Sequence, residues 1–197
     1  MSSRRVHVLV LCEGFKDYQF AYKCLVTCGW RRDQIAAKVS PSGKQSAFTY
    51  VLNHYSAEVQ ANRNGKKKER ALFVLIDADK QPEGGRENEL AKHLDAAGLK
   101  PRQAGERIAL WVPRRHLETW VHFLTRGEAN EQTDYKDGPR RVKEREHLPA
   151  AERFAKLLKG RQSLPFGAIP SLKKAVAEFD RLRRTPSKSS KRTMRKR

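Results

Sequence analysis

Membrane-length hydrophobic runs and paired cysteines are missing from this sequence, and each absence excludes a class of protein. The apolar segment at residues 6–12 is too short to cross a membrane, and no signal-cleavage pattern follows it. The three cysteines, Cys12, Cys24 and Cys28, form no paired motif, which argues against a disulfide framework and a zinc site. We therefore expect a cytoplasmic protein with reduced thiols and no membrane partner.

Acidic residues are also in short supply. The 197 residues include 42 Lys and Arg but only 22 Asp and Glu, which gives a formal net charge of +20. The tail at residues 185–197 is basic and contains no acid. A bias of this size indicates a polyanionic partner, most often nucleic acid, although a ribosome-associated or merely soluble basic protein would share it. Within the tail, Lys188, Lys191 and Arg192 are candidate nucleic-acid contacts.

Apolar runs and helical patterns alternate along the first part of the chain. The helical patterns repeat apolar residues every three or four positions. The alternation predicts an α/β fold with a largely parallel sheet flanked by helices and joined by right-handed crossovers. The predicted strands are residues 6–12, 35–39, 71–76 and 108–112, and the predicted helices are residues 17–28, 46–60, 88–97 and 116–124.

The pattern changes after residue 125. Residues 126–148 are polar and predict a loop that is mobile or ordered by a partner, and two further helical patterns follow at residues 150–159 and 170–184. The composition of the tail is typical of disorder. We predict three parts: a catalytic domain at 1–125, a polar loop with a helical appendage at 126–184, and a basic tail at 185–197.

Acidic side chains follow three of the four predicted strands. Glu13 comes directly after the first strand, Asp77 and Asp79 end the third, and Glu118 follows the fourth. The carboxyl ends of parallel strands meet at one edge of a sheet, where ligands bind. Two acids spaced as Asp77 and Asp79 point the same way in extended chain. Crowded carboxylates repel one another, and their oxygens suit Mg²⁺.

Each of these acids also has a structural alternative. An Asp-x-Asp pair at a strand end often caps the following turn, and Glu118 is also favourable as an acid in the first turn of a helix. Asp17 would either cap the first helix or contribute to a metal site. Beside the acids, Lys80 is a candidate for stabilising transition-state charge. Arg114, Arg115 and Lys44 are candidate phosphate contacts.

The stretches VLVLCEGFKD and FVLIDAD together resemble the TOPRIM domain of topoisomerases, primases and small nucleases, a Rossmann-like fold. Glu13, Gly14, Asp17, Asp77 and Asp79 match the family pattern position by position. The resemblance implies that Glu13 is a metal ligand or proton-transfer group and that the Asp pair binds Mg²⁺. The stretch VPRRHLETW resembles OLD-type and small defence-associated TOPRIM proteins, in which a further acid, here Glu118, follows the fourth strand.

The resemblance implies a Mg²⁺-dependent nuclease that hydrolyses phosphodiester bonds in DNA or RNA, with Mn²⁺ as a possible substitute. Its implied catalytic residues are Glu13, Asp77, Asp79, Glu118 and Lys80, and its implied metal ligands are the four acids with Asp17. It also implies a role in antiviral defence. The sequence lacks the G-x-x-x-x-G-K-[ST] motif of ATPases, so any ATPase would be a separate partner chain. A ribosomal-RNA maturase of the small TOPRIM type and a non-catalytic nucleic-acid-binding or regulatory subunit remain alternatives.

Overall fold

A computed structural model of the chain describes residues 7–41, 46–64, 70–160 and 163–183. The elements alternate between strand and helix up to the fourth helix, and two more helices follow. The strands are β1 (His7–Cys12), β2 (Ile35–Val39), β3 (Arg70–Leu75) and β4 (Ile108–Trp111). The helices are α1 (Phe15–Thr27), α2 (Ala47–Asn64), α3 (Gly85–Ala96), α4 (Leu117–Arg126), α5 (His147–Leu158) and α6 (Pro170–Arg183).

The four strands form one parallel sheet in the order β2-β1-β3-β4. The predicted α/β architecture is therefore confirmed, and every predicted strand and helix lies within a few residues of its observed bounds. The register places Cys12 beside Leu75 and Leu75 beside Trp111, so β1, β3 and β4 end at the same edge. The residues that directly follow β1, β3 and β4 therefore lie at the same edge of the sheet.

The sheet is covered on both faces, as the nearly continuous apolar strands require. Because side chains alternate along a strand, Val10 and Phe73 point to one face while Leu11 and Val74 point to the other. The first face packs against α1, α4, α5 and α6, and the second packs against α2 and α3. Two cores thus fix the sheet from opposite sides.

Helices α5 and α6 share the first core with the sheet. Trp111, at the end of β4, is fully buried among aromatic rings from β3, α5 and α6, with centroids 4.5 Å from Phe73, 5.0 Å from Phe154 and 5.8 Å from Phe179. Its indole nitrogen donates to the Ala175 carbonyl at 2.9 Å. The two predicted C-terminal helices are therefore present and pack directly on the sheet. The three-part division of the chain stays a prediction.

The polar segment before α5, predicted to be mobile or ordered by a partner, makes defined contacts within the chain. Tyr135 and Val142 are buried at 2% and 4% exposure. The Tyr135 hydroxyl accepts the Asn130 amide at 2.9 Å, and its ring stacks on His122 at a centroid distance of 4.0 Å. Two buried apolar side chains are enough to fix a segment that is otherwise polar. None of the described helices has the length and hydropathy that crossing a membrane requires.

Candidate functional site

The chain continues in register beyond the ends of β3 and β4. The amides of Ile76, Ala78 and Asp79 donate to the carbonyls of Trp111, Pro113 and Arg115 at 3.1, 3.0 and 2.8 Å. This ladder carries the Asp-x-Asp segment alongside the segment that leads into α4. It therefore brings the acids after β3 next to the start of that helix.

Asp77 connects three elements at this edge. Its Oδ1 accepts the backbone amide of Leu117 at 2.9 Å, and its Oδ2 lies 3.3 Å from His116 Nδ1. Its own amide donates to Glu13 Oε1 at 3.3 Å. Burial raises the pKa of Asp77, and the hydrogen bond with His116 opposes that rise. Asp77 is therefore a buried hub that joins β1, β3 and α4.

Glu13, Asp17 and Glu118 surround this hub and act on one another through their charges. Burial raises the pKa of Glu13 to about 7, and the charges of Asp77 and Asp79 contribute to this rise to a lesser degree. Burial also raises the pKa of Asp17 well above its ordinary value, and the charges of Asp77, Glu13 and Glu118 add to that effect. The four predicted acids Glu13, Asp17, Asp77 and Glu118 are thus within electrostatic reach of each other; we call them the inner acids.

The inner acids have no strong cationic partner in the part of the chain that the structure describes. No Lys or Arg nitrogen there lies within ion-pair distance of any of the four. The nearest basic groups are imidazoles: His116 beside Asp77, and His147, whose Nε2 is 3.9 Å from Glu118 Oε1. Burial lowers the pKa of His147, which favours its neutral form. Burial raises the pKa values of Glu13, Asp17 and Asp77, so the described cluster lacks the cation that four ionised carboxylates would need.

Gly14 fits between Glu13 and α1 because it has no side chain. Its φ of −141° is extended backbone that any residue adopts, so the backbone conformation does not require glycine here. A Cβ at this position would lie 3.2 Å from Asp17 Oδ2. Glycine instead leaves room for the Asp17 carboxylate to approach the backbone closely.

Asp79 faces outward and has an arginine partner. Arg86, from α3, pairs with the Asp79 carboxylate and donates through Nε to the Asp77 carbonyl at 3.1 Å. Its guanidinium also bonds Glu89 at 2.8 Å and lies 3.8 Å from the centre of the Phe48 ring. Arg86 is 8% exposed, and it fixes the outer acid of the Asp-x-Asp pair.

Backbone strain concentrates at this point. Asp79 and Arg115 have φ values of 51° and 61°, and they are the only non-glycine residues with positive φ in the described ranges. The two residues are also joined by the hydrogen bond from the Asp79 amide to the Arg115 carbonyl. Such conformations cost about 1–3 kcal/mol each and cluster at functional sites.

The predicted basic residues separate into different surroundings. Lys80 and Arg115 line a cavity of about 410 Å³ with Asp79, His116 and Asp134, and Arg115 Nη2 bonds Asp134 at 3.1 Å.

Arg114 lines a different cavity of about 120 Å³, together with Arg86 and Lys174, and its Nη1 is buried without a hydrogen-bond partner in the described chain. The predicted contacts Lys44, Lys188, Lys191 and Arg192 lie outside the described residues. The structure therefore brings Arg115 and Lys80, but not Arg114, to the cavity beside Asp79.

The donor set suits a hard divalent cation, although the side chains are not arranged as a finished site. Carboxylate oxygens are the ligands that Mg²⁺ prefers, and four crowded acids gain from a compensating cation. Yet no three His, Cys, Asp or Glu side chains among the described residues are placed to hold one metal ion. Both oxygens of Asp77 are engaged by His116 and Leu117, and Arg86 occupies Asp79.

His116 and Arg86 are the two site residues that sequence reasoning missed. His116 immediately precedes α4 at the predicted edge, and this position was the available signal. Arg86 lies seven residues beyond Asp79 in a polar helix, and nothing in its sequence surroundings distinguishes it from other surface arginines.

Comparisons of this chain with models of protein families, with curated proteins and with solved structures find no match. The residues of the site are therefore the basis for any functional assignment.

Proposed function

We propose that this protein is a divalent-cation-dependent nuclease that hydrolyses phosphodiester bonds in DNA or RNA. The observation that carries the proposal is the group of four inner acids at the carboxyl edge of the sheet, buried together without a lysine or arginine partner in the described chain. Such an arrangement is unfavourable for packing alone, and perturbed acids of this kind cluster at functional sites.

A cation would relieve the repulsion among the inner acids. Glu13, Asp17, Asp77 and Glu118 are the residues that would hold it, with Asp79 as a further ligand, and Mg²⁺ or Mn²⁺ are the ions that fit carboxylate oxygens. When bound, such an ion stabilises the negative charge that develops on phosphate oxygens. If Asp77 or Asp79 bound the cation, its carboxylate would give up a contact that it now makes with His116 or Arg86.

Glu13 is the best-placed residue to move a proton. Its Oε1 accepts the Asp77 amide, whereas Oε2 has no hydrogen bond from a described residue. A pKa of about 7 suits a general base near neutral pH. In hydrolysis, water adds to phosphorus and Glu13 accepts the proton that the water loses, while one ester P–O bond breaks and the leaving oxygen takes up a proton from solvent.

Lys80 and Arg115 supply positive charge beside Asp79. They line the same cavity as His116, and Arg115 is held by Asp134. A phosphate there would meet two cations close to the inner acids, which would offset their repulsion toward the substrate. The formal net charge of +20 supports nucleic acid as that substrate.

The family assignment is part of the proposal. The parallel sheet, with Glu13 after its first strand and the Asp pair after its third, supports a TOPRIM-type nuclease. The defence role, the separate ATPase partner and the specific choice of Mg²⁺ rest on the sequence resemblance alone. The ribosomal-RNA maturase has no structural observation in its favour.

A second candidate function is nucleic-acid binding without turnover. The observation that favours it is that Asp77 and Asp79 are already occupied by His116, Leu117 and Arg86. In that case the edge would be a closed hydrogen-bonded corner, and the basic surface alone would be functional.

The deciding experiment is an incubation of the full chain with end-labelled DNA and RNA. The panel contains single strands, duplexes and a structured precursor RNA, each with Mg²⁺, Mn²⁺ or EDTA, with and without a candidate ATPase partner. Cleavage that requires the cation supports the nuclease. A defined cut in the precursor RNA alone would select the maturase, and binding with no cut under any condition would select the second candidate.

A further inference from the structure

The segment between α4 and α5 carries a short loop, residues 136–141, whose cations are Lys136, Arg140 and Arg141. We propose that this loop, which we call the basic loop, binds the phosphodiester backbone of the nucleic acid and guides the strand to the inner acids. The inference rests on the proposed function, and it assigns the contact with the strand to three named cations of the polar segment.

The basic loop is held at both ends by buried residues. Tyr135 stacks on His122 on one side, and Val142 is buried on the other. The Val142 amide donates to the Tyr135 carbonyl at 2.9 Å, which closes the base of the loop. Within it, the Arg141 amide donates to the Gly138 carbonyl at 3.2 Å. A loop that is already ordered loses less entropy when a partner binds.

The cations of the basic loop are exposed and have no ion-pair partner among the described residues. This distinguishes them from nearby surface lysines, because Lys16 is paired with Glu144 and Lys23 with Glu152. Unpaired cations retain counterions, and releasing these on phosphate binding is favourable.

The loop adjoins the candidate site directly. Asp134, at its base, bonds Arg115 at 3.1 Å and lies 4.0 Å from His116 Nε2. Burial raises the pKa of Asp77 and the hydrogen bond with Asp77 raises that of His116, and the charge of Lys136 opposes both rises. The basic loop therefore begins two residues beyond Asp134, which lines the same cavity as Arg115 and Lys80. A flexible polyanion with regularly spaced charges fits this arrangement.

The test is a binding titration in EDTA, so that cleavage does not enter. The variant Lys136→Ala/Arg140→Ala is compared with Lys92→Ala/Lys100→Ala, which removes the same charge from exposed positions in α3 and in the connection to β4. The probes are fluorescent single-stranded and duplex DNA and RNA, with poly-glutamate as an acidic peptide, at several salt concentrations.

We expect the basic-loop variant to bind single strands about tenfold more weakly, and the slope of log K against log salt to become shallower by about 1.4, the value for two lost phosphate contacts. The control variant should change both much less. The nucleic acid whose affinity falls more, DNA or RNA, is the one that the basic loop recognises. Melting curves check the fold, and Lys136→Arg/Arg140→Lys should restore affinity.

Equal losses in both variants would overturn the inference, because net charge alone would then explain binding. Loop-dependent binding of poly-glutamate but not of nucleic acid would also overturn it. Unchanged binding in the loop variant would show that the basic loop does not contact the nucleic acid, and the nuclease proposal would still stand. If the wild-type chain binds no nucleic acid, the proposed function fails together with the inference.

Discussion

Two sets of buried acids in this molecule have similar exposure and opposite surroundings. Glu58, Glu106 and Glu178, which we call the paired acids, have side chains that are 8%, 17% and 12% exposed. Among the inner acids, Asp77 and Glu118 are 15% and 14% exposed. Burial therefore does not distinguish the two sets.

What distinguishes them is the cation. Glu58 pairs with Lys38 and Arg70, Glu106 with Arg63, and Glu178 with Arg102 while also accepting the Leu110 amide. These contacts offset part of the free energy that is lost when a carboxylate is removed from water.

The inner acids have only imidazoles within ion-pair distance in the described chain. Lysine or arginine ion pairs accompany the paired acids and are absent from the inner acids in the described chain, and the proposed cation would account for that difference.

The largest expected effect is on catalysis. Asp77→Ala should reduce metal-dependent cleavage at least about 100-fold, since even residues that only support metal ligands are worth 10–100-fold. Affinity for nucleic acid should stay nearly unchanged or tighten slightly, because one charge that repels phosphate is removed. Cleavage and binding are measured on the same preparation, with Asp95→Ala, an exposed acid of α3, as the control. Full cleavage by the variant would remove Asp77 from the mechanism.

The paired acids should behave in the opposite way. Glu178→Ala should lower the free energy of unfolding by about 2–3 kcal/mol, because Arg102 and the Leu110 amide lose their partner in a largely buried place. Cleavage by the folded variant should be close to that of the wild type. Urea unfolding measures the loss, and Glu152→Ala, at an exposed ion pair with Lys23, should lower the free energy of unfolding much less. Equal losses in the two variants would contradict the comparison.

The difference between the two sets also explains what the sequence could predict. Strand ends and the acids that follow them are local features, so the meeting of Glu13, Asp77 and Glu118 at one edge followed from parallel topology. The partners were not local. Arg86 reaches the site from a helix, and Tyr135 fixes a segment whose composition predicts mobility.

Side-chain direction is the second thing that pattern reasoning could not supply. Arg114 and Arg115 are adjacent in sequence, yet they line separate cavities. The φ of 61° at Arg115 is a conformation that no sequence rule for arginine predicts, because the left-handed region is unfavourable for a residue with a long side chain.

Glu13 offers a smaller test, based on pH. Its pKa in the folded chain, about 7, is above its ordinary value, so folding favours the protonated acid. This contribution is fully present below about pH 4.5 and is lost as the pH rises through 7. As the pH rises from 4.5 to above 7, the free energy of unfolding of Glu13→Gln should therefore increase by about 2–3 kcal/mol relative to that of the wild type.

The measurement is urea unfolding in EDTA at pH 4.5 and pH 8. The control is Glu83→Gln, an exposed acid before α3, whose difference from wild type should not change with pH. If Glu13→Gln and wild type show the same pH dependence, Glu13 does not carry the uncompensated charge that the comparison assigns to it.

The smallest effect concerns the cation itself. A ligand that binds only the folded chain at about ten times its Kd adds about 1.4 kcal/mol of stability. Mg²⁺ should therefore raise the melting temperature of the wild type, because it offsets repulsion that the fold leaves in place. Asp17→Asn and Glu118→Gln should each reduce this rise, since each removes a negative charge and a ligand oxygen. Glu106→Gln, at a paired acid, should lower the starting stability and yet retain the full rise with Mg²⁺.

Each variant is melted in Mg²⁺ and in EDTA at constant ionic strength, and the difference between the two melting temperatures is compared. A rise that is equal in all four proteins would mean that Mg²⁺ acts elsewhere, and the inner acids would then be a buried polar corner rather than a cation site.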